Sequence, residues 1–270
     1  MLGRDIQEVL AARPFTALSR RDLDITDAAA VMQAVAGHDV VINCAAYTHV
    51  DDAETHEAEA FAVNAEGALN LAVAAKAAGA QFLHLSTDYV FDGSASTPYP
   101  EDAPRHPLGA YARTKAAGEE LVLEAYPEGT LIVRSAWLYG QFGPNFVTTM
   151  LGLARERDTV SVVDDQHGQP TWTRDLAHRI IALIDADVRT GIFHGTSSGA
   201  TTWFEFARAI FLHAGLDPLR VQPTDSASFP RPAARPSYSV LGHASWAEHG
   251  LTPIRPWEEA LIEALPLLNS

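Results

Sequence analysis

The chain has 270 residues, enough for one large α/β domain or two smaller ones, and its 47% hydrophobic and 20% charged content is ordinary for a folded globular protein. A formal charge of −15 at pH 7 argues against nucleic acid as a partner, because phosphate binding is built on clustered lysine and arginine. The single cysteine, Cys44, excludes an intrachain disulfide and fits a reducing cytoplasm, and no apolar run suggests a membrane span or signal peptide.

Met1 to Ile6 lead straight into a helical pattern with Ile6, Val9 and Leu10 on one side, and no strand precedes it. Phe15-Thr16-Ala17-Leu18, after Pro14, predicts a strand. The polar turn Asp22 to Asp27 follows, with Thr26 or Asp27 capping a helix through Val31 and Val35 to Gly37. Asp24 on its own reads as a turn residue. The run Val40-Val41-Ile42 predicts a strand buried on both faces, and the small Cys44-Ala45-Ala46 leave room for close approach to the backbone. Cys44 reads as a small buried hydrophobe. An alanine-rich helical segment then runs from Val50 to Ala78 before Gly79, with Asn64 as a polar residue facing solvent.

The stretch from Phe82 to Lys115 organises the chain. Phe82-Leu83-His84-Leu85 reads as a buried parallel strand, and it stops at Ser86-Thr87-Asp88, as at the carboxyl edge of an open α/β sheet where ligands bind. Tyr111 and Lys115 lie four apart, so a helix opening at Tyr111 presents both on one face. A lysine beside a tyrosine favours the phenolate and is expected to lower the phenol's pKa for acid–base work.

Thr130 to Ser135 predicts the next strand, followed by Trp137 and Tyr139. A helix from Asn145 to Arg157, a strand from Val160 to Val163, a helix capped by Thr173 through Leu183, and a short strand Gly191-Ile192-Phe193 come after it. Thr202-Trp203-Phe204-Glu205 reads as a capping box opening a helix to Gly215. Pro230, Pro232 and Pro236 make Ser226 to Ser239 a loop, in which Arg231 and Arg235 are either solvated charges or a diphosphate clamp. Trp257 opens the terminal helix. The eleven histidines lack metal-ligand spacing and read as surface or packing residues.

Ser86-Thr87-Asp88-Tyr89-Val90-Phe91-Asp92-Gly93, followed by Tyr111-x-x-x-Lys115-x-x-Gly118-Glu119, resembles the extended short-chain dehydrogenase/reductases and, within them, the dTDP-4-dehydrorhamnose reductase family. The resemblance runs from Gly3 to the terminal helix, through Val63-Asn64-x-x-Gly67-x-x-Asn70-Leu71, the loop Asp165 to Thr171, and Arg235-Pro236-x-x-Ser239-x-Leu241. In that last loop Tyr238 replaces the family's asparagine. It implies a Rossmann-like doubly wound parallel sheet over residues 1–142 and a smaller substrate-binding domain over 143–270, interleaved with sheet elements near 159–190. Gly3 aligns with the last glycine of the dinucleotide fingerprint, whose first strand and earlier glycines are missing; a native start about ten residues upstream is the favoured expectation, and a real fragment lacking a central strand the alternative.

The resemblance further implies reduction of the 4-keto group of dTDP-4-dehydro-L-rhamnose by NADPH or NADH. It assigns catalysis to Tyr111, Lys115 and Thr87; cofactor binding to Gly3, Asp24, Ile25, Ala45, Ala46, Tyr47, Lys115 and Trp137; and substrate contacts to Thr87, Asp88, Tyr111, Trp137 and Arg235. Some members use Mg²⁺ through acidic residues near both chain ends, and Asp5 and Glu258 match two such positions without a third. The alternatives are a non-catalytic subunit like the β subunit of methionine adenosyltransferase, or a reductase of another nucleotide-linked 4-ketohexose. A cytoplasmic enzyme with a dTDP-sugar substrate, no nucleic-acid or membrane partner, and room for a homodimer is the resulting expectation.

Overall fold

The computed structural model describes residues 1–269. Its centre is a parallel sheet in the order β1-β2-β3-β8, formed by β1 (Val40–Asn43), β2 (Gln81–Thr87), β3 (Thr130–Ser135) and β8 (Gly191–His194). Successive side chains of β2 and β3 point to opposite faces. Phe82 and Ile132 join Val31, Leu71 and Val122 on one face, whereas Leu83, Leu131 and Val133 pack with Ile6, Ile180 and Trp246 on the other. The first face is covered by α2 (Ala28–Val35), α4 (Gly67–Ala78) and α5 (Ala110–Ala125), the second by α1 (Leu2–Val9), α7 (Thr173–Asp185) and α9 (Ala244–Glu248). Helices on both faces of a parallel sheet make this a doubly wound α/β fold.

A separate apolar core lies beyond the sheet. It gathers α6 (Phe146–Glu156), α8 (Trp203–His213) and α10 (Trp257–Leu268) around the parallel pair β5 (Val160–Val163) and β11 (Val221–Thr224). Three two-residue or three-residue pairings stitch the halves together: β4 (Leu138–Tyr139) with β7 (Thr171–Trp172), β6 (His167–Gly168) with β10 (Thr201–Thr202), and β9 (Ser197–Ser198) with β12 (Ile254–Pro256). Among the described residues no helix is long and apolar enough to cross a membrane.

Several local expectations are corrected. Residues 15–18 form no strand; Phe15 and Leu18 are 44% and 48% exposed. Favourable residue types do not make a strand without a neighbour to take up the backbone groups. For the same reason β1, which pairs only with β2, is half-buried rather than covered on both faces. Thr173 is the first residue of α7 instead of its cap, and its hydroxyl donates to the Tyr139 carbonyl at 3.1 Å. Thr202 does cap α8, accepting from Glu205 N at 3.1 Å, but Glu205 turns away to Arg208, so the box is half made. Asp27, not Thr26, caps α2.

Between α3 (Glu57–Phe61) and α4 the chain makes a π turn over Ala62–Glu66. That turn rotates Asn64 inward, where it is 1% exposed rather than facing solvent. Its amide accepts from Tyr47 N at 2.8 Å and donates to Tyr47 O at 3.2 Å and to Thr114 Oγ1 at 3.0 Å. Gly118 of α5 packs directly on this turn: a Cβ there would lie 2.2 Å from the Asn64 carbonyl oxygen. Gly118→Ala is therefore expected to destabilise the fold by about 2 kcal/mol, the overpacking penalty exceeding the better helix propensity of alanine. Urea unfolding measures it, and a variant as stable as the parent would contradict the close approach.

Candidate active site

β2 pairs with β1 as far as His84 and with β3 as far as Thr87, opposite Ser135, and there the strand stops. The Thr87 hydroxyl accepts from Tyr89 N at 3.2 Å and donates to Asp88 Oδ1 at 3.0 Å, which turns the chain into the short helical turn Asp88–Val90. α5 starts opposite this corner. Its N-cap, Gly109, supplies no side chain; the Ala110 N–H donates instead to Glu54 Oε1 at 2.8 Å, and a Cβ on Gly109 would lie 2.7 Å from that oxygen. Tyr111 is thus fixed in the first turn of α5 with its phenol beside Thr87. Its ring meets Tyr89 edge-on at 6.0 Å and lines a cavity together with Val50, Phe91, Leu108 and Pro236.

The electrostatics differ from the sequence expectation. Desolvation pushes the Tyr111 phenol up to about 12, against the Thr87 hydrogen bond and with the Asp88 charge adding to it. Lys115 does not lower it. Its ammonium nitrogen is drawn to the sheet, donating to the Leu85 carbonyl at 2.6 Å and lying 3.4 Å from His84 Nε2. Burial pushes Lys115 down to about 8, opposed chiefly by the charge of Glu119. Asp88, 2% exposed, is pushed up to about 6 by burial, opposed by hydrogen bonds from Ser239 and Thr87. A phenol held protonated beside a threonine hydroxyl, its ring in the wall of a cavity, is chemically able to donate a proton.

The carboxyl end of β1 lies next to this corner. Cys44 and Ala45 are exposed and Ala46 partly so; Cys44 is no buried hydrophobe. Gly3, in the first turn of α1, is near enough that an added Cβ would touch the Cys44 side chain at 3.7 Å. A helix amino end beside a strand end stripped to small side chains fits a dinucleotide laid across the sheet edge. Asp24 is exposed and accepts from Thr26 N at 3.0 Å, while Ile25 presses against Gly67, where a Cβ would meet it at 2.6 Å. The Tyr47 backbone is clamped by Asn64, and its phenol donates to Asp52.

Trp137 and Arg235 approach from the second core. Trp137 has φ 46°, a left-handed backbone rare for an aromatic, and stacks face to face on Trp203 with ring centroids 3.6 Å apart. Arg235 does not stand free: its guanidinium pairs with Asp51 at 2.9 Å and donates to the Ala233 carbonyl at 2.8 Å. Gly93, φ 82°, receives Pro236 so closely that a Cβ would lie 2.7 Å away, which seats the arginine loop on the Ser-Thr-Asp-Tyr-Val-Phe-Asp-Gly segment. Asp5 is buried near Thr173 in α1, whereas Glu258 accepts from His213 at 2.9 Å in α10. Among the described residues no group of three or more His, Cys, Asp or Glu gathers to hold a metal.

Three supports of the site escaped sequence reading: Glu54 at the head of α5, Asp51 on Arg235, and His84, which joins Asn43 to Lys115. Their partners are all distant in the chain. The one available signal was His84, a titratable residue inside an otherwise apolar strand.

A family model described as "RmlD substrate binding domain" matches residues 1–269. The chain is 53% identical over 276 residues to a Streptomyces griseus protein named dTDP-4-dehydrorhamnose reductase, covering 99% of this chain and 91% of that one. It is 49% identical over 274 residues to dTDP-4-keto-6-deoxy-D-glucose reductase of Streptomyces niveus, with 100% and 95% covered. A crystal structure of dTDP-4-dehydrorhamnose reductase from Bacillus anthracis in complex with NADP has TM-score 0.94 to this chain at 39% identity, covering 98% of this chain and 95% of that one.

Proposed function

The chain belongs to the RmlD substrate binding domain family, and from that premise we propose that it reduces the 4-keto group of dTDP-4-dehydro-L-rhamnose with NADPH or NADH, giving dTDP-L-rhamnose. The observation that carries this is the placement of the Tyr111 phenol beside Thr87 where β2 ends, with the ring in the wall of a cavity and the phenol kept protonated by burial. The reduced nicotinamide, when bound, supplies the hydride. Tyr111 gives its proton to the carbonyl oxygen as the carbon is reduced, and Thr87 orients that oxygen. Asp88, Trp137 and Arg235 contact the sugar nucleotide, with Asp51 orienting the guanidinium. Gly3, Asp24, Ile25, Ala45, Ala46, Tyr47, Lys115 and Trp137 hold the cofactor along the sheet edge.

The two apolar cores support a division into a cofactor domain, 1–142, and a sugar-nucleotide domain, 143–270, from which α7 and β8 return to the sheet. The reaction is assigned to the cytoplasm, and a homodimer is compatible with it. The relative from Streptomyces niveus favours a second reading, in which dTDP-4-keto-6-deoxy-D-glucose is the ketone reduced. Consumption of reduced nicotinamide with each sugar in turn is the test. Faster turnover of dTDP-4-dehydrorhamnose is expected; the reverse preference selects the second reading, and no consumption with either sinks both.

A further inference from the structure

Ser135 is the register partner of Thr87, and two residues further on the backbone turns left-handed at Trp137, with φ 46°. An aromatic residue keeps that conformation only where its surroundings enforce it. Here the enforcement comes from one strand pair. β6 and β10 run antiparallel with Gly168 opposite Thr201, and the indole of Trp137 is met from both. From β6 it meets bare backbone: a Cβ on Gly168 would lie 2.5 Å from Trp137 Cε2. From β10 it meets Trp203, which begins α8 directly after Thr202 and stacks on Trp137 with ring centroids 3.6 Å apart and planes at 11°. Trp203 is backed in turn by Phe146 at 4.5 Å and by the fully buried Phe206 at 6.4 Å, so the stack extends the second core toward the corner where β2 ends. The backbones at both indoles are tied as well. Thr171 N–H donates to the Trp137 carbonyl at 3.2 Å, and Thr202, the cap of α8, donates to Asp164 Oδ1 at 2.5 Å.

We propose that Trp203 and Gly168 are positioning residues that hold Trp137 as a preformed platform for the apolar C–H face of the deoxyhexose, and so set affinity for the sugar more than for the nucleotide that carries it. The proposal rests on the reading of Trp137 as a sugar-nucleotide contact. Its place in the chain puts Trp137 at the reacting end of that ligand, since it follows the register partner of Thr87 so closely. It is half-buried, so part of the ring stays open while the rest is clamped. A flat apolar surface whose rotamer and backbone are already fixed loses little freedom when a sugar ring packs on it, which is how preorganisation becomes affinity. The same indole on an unclamped segment would have to be ordered by the ligand itself.

Calorimetric titration of the full chain with dTDP and with dTDP-L-rhamnose separates the two parts of the ligand. Trp203→Leu is expected to weaken binding of dTDP-L-rhamnose about tenfold and of dTDP less than about twofold, the loss of one aromatic pair read as affinity. Trp203→Phe keeps a smaller ring against Trp137 and should lose about threefold, on the sugar-bearing ligand alone. Gly168→Ala pushes on the indole from the other strand and should reproduce the selective loss. In a Trp137→Leu background none of these substitutions should weaken dTDP-L-rhamnose further, because no indole remains to be held. Equal losses for the two ligands, no loss for dTDP-L-rhamnose, or a loss that persists beside Trp137→Leu overturns the proposal. If Trp203→Leu does not fold, Trp203→Phe and Gly168→Ala decide on the same terms. A parent chain that binds neither ligand fails at the sugar-nucleotide reading itself and takes the proposal with it, an outcome distinct from a parent that binds both and variants that do not discriminate.

Discussion

Tyr111→Phe is expected to lower kcat about 10³-fold, because the substitution removes the phenol proposed as the proton donor at the end of β2 and little else. The ring keeps its edge-on contact with Tyr89 and its place in the cavity wall, so folding should be undisturbed. Affinity for reduced nicotinamide should change by less than about twofold, since the substitution alters none of the side chains proposed to hold the cofactor. Loss of kcat with binding intact separates a proton donor from a wall residue. Retention of more than about a tenth of the parent kcat would end the assignment of Tyr111 as the acid.

The largest effect on stability is expected at Arg134. It is 1% exposed and pairs through both ends of its guanidinium with Glu119, itself 0% exposed, at 2.9 and 2.8 Å. The remaining nitrogen donates to the Glu101 carbonyl at 3.0 Å, and the plane lies 5.0 Å over Phe91. Burial alone would raise the Glu119 carboxyl; Arg134, helped by Arg105, overcomes it and holds the group below its ordinary value. Arg134→Ala strands a buried carboxylate and should cost about 3 to 5 kcal/mol in denaturant unfolding, toward the lower end because Arg105 stays at 3.2 Å. Replacing both partners, as Arg134→Met with Glu119→Leu, should recover most of that loss. The sign with pH also follows. A folded pKa below the unfolded one stabilises above the unfolded value, and this contribution disappears as pH falls through the folded value. An Arg134→Ala chain within about 1 kcal/mol of the parent would show the pair to be dispensable.

What the sequence disclosed and what it hid follow from how far each signal reaches. β2, β3 and β8 were legible because continuous apolar runs ending in turn residues are a local property, and so was the head of α5, where Tyr111 and Lys115 share a face. Residues 15–18 carried the same kind of local signal and failed, since a strand exists only in relation to a partner. Asn64 failed for the opposite reason. Ideal helical periodicity puts it outside, and a π turn that no periodicity predicts swings it in. Arg134 and Glu119 look like surface charges in a strand and a helix, and only the fold reveals that each buries the other. At Lys115 the spacing to Tyr111 was read correctly and the consequence was not, because the competing carbonyl belongs to Leu85, thirty positions back.

The stacked pair Trp137 and Trp203 has an optical consequence. Two indoles nearly parallel, at 11° and 3.6 Å apart, couple their transitions, and one is carried by the segment after β3 while the other begins α8. The coupled circular-dichroism band of that pair would act as a built-in ruler between the two cores. Its fading during partial denaturation, before the helical signal is lost, would report the halves parting while each still holds its own shape.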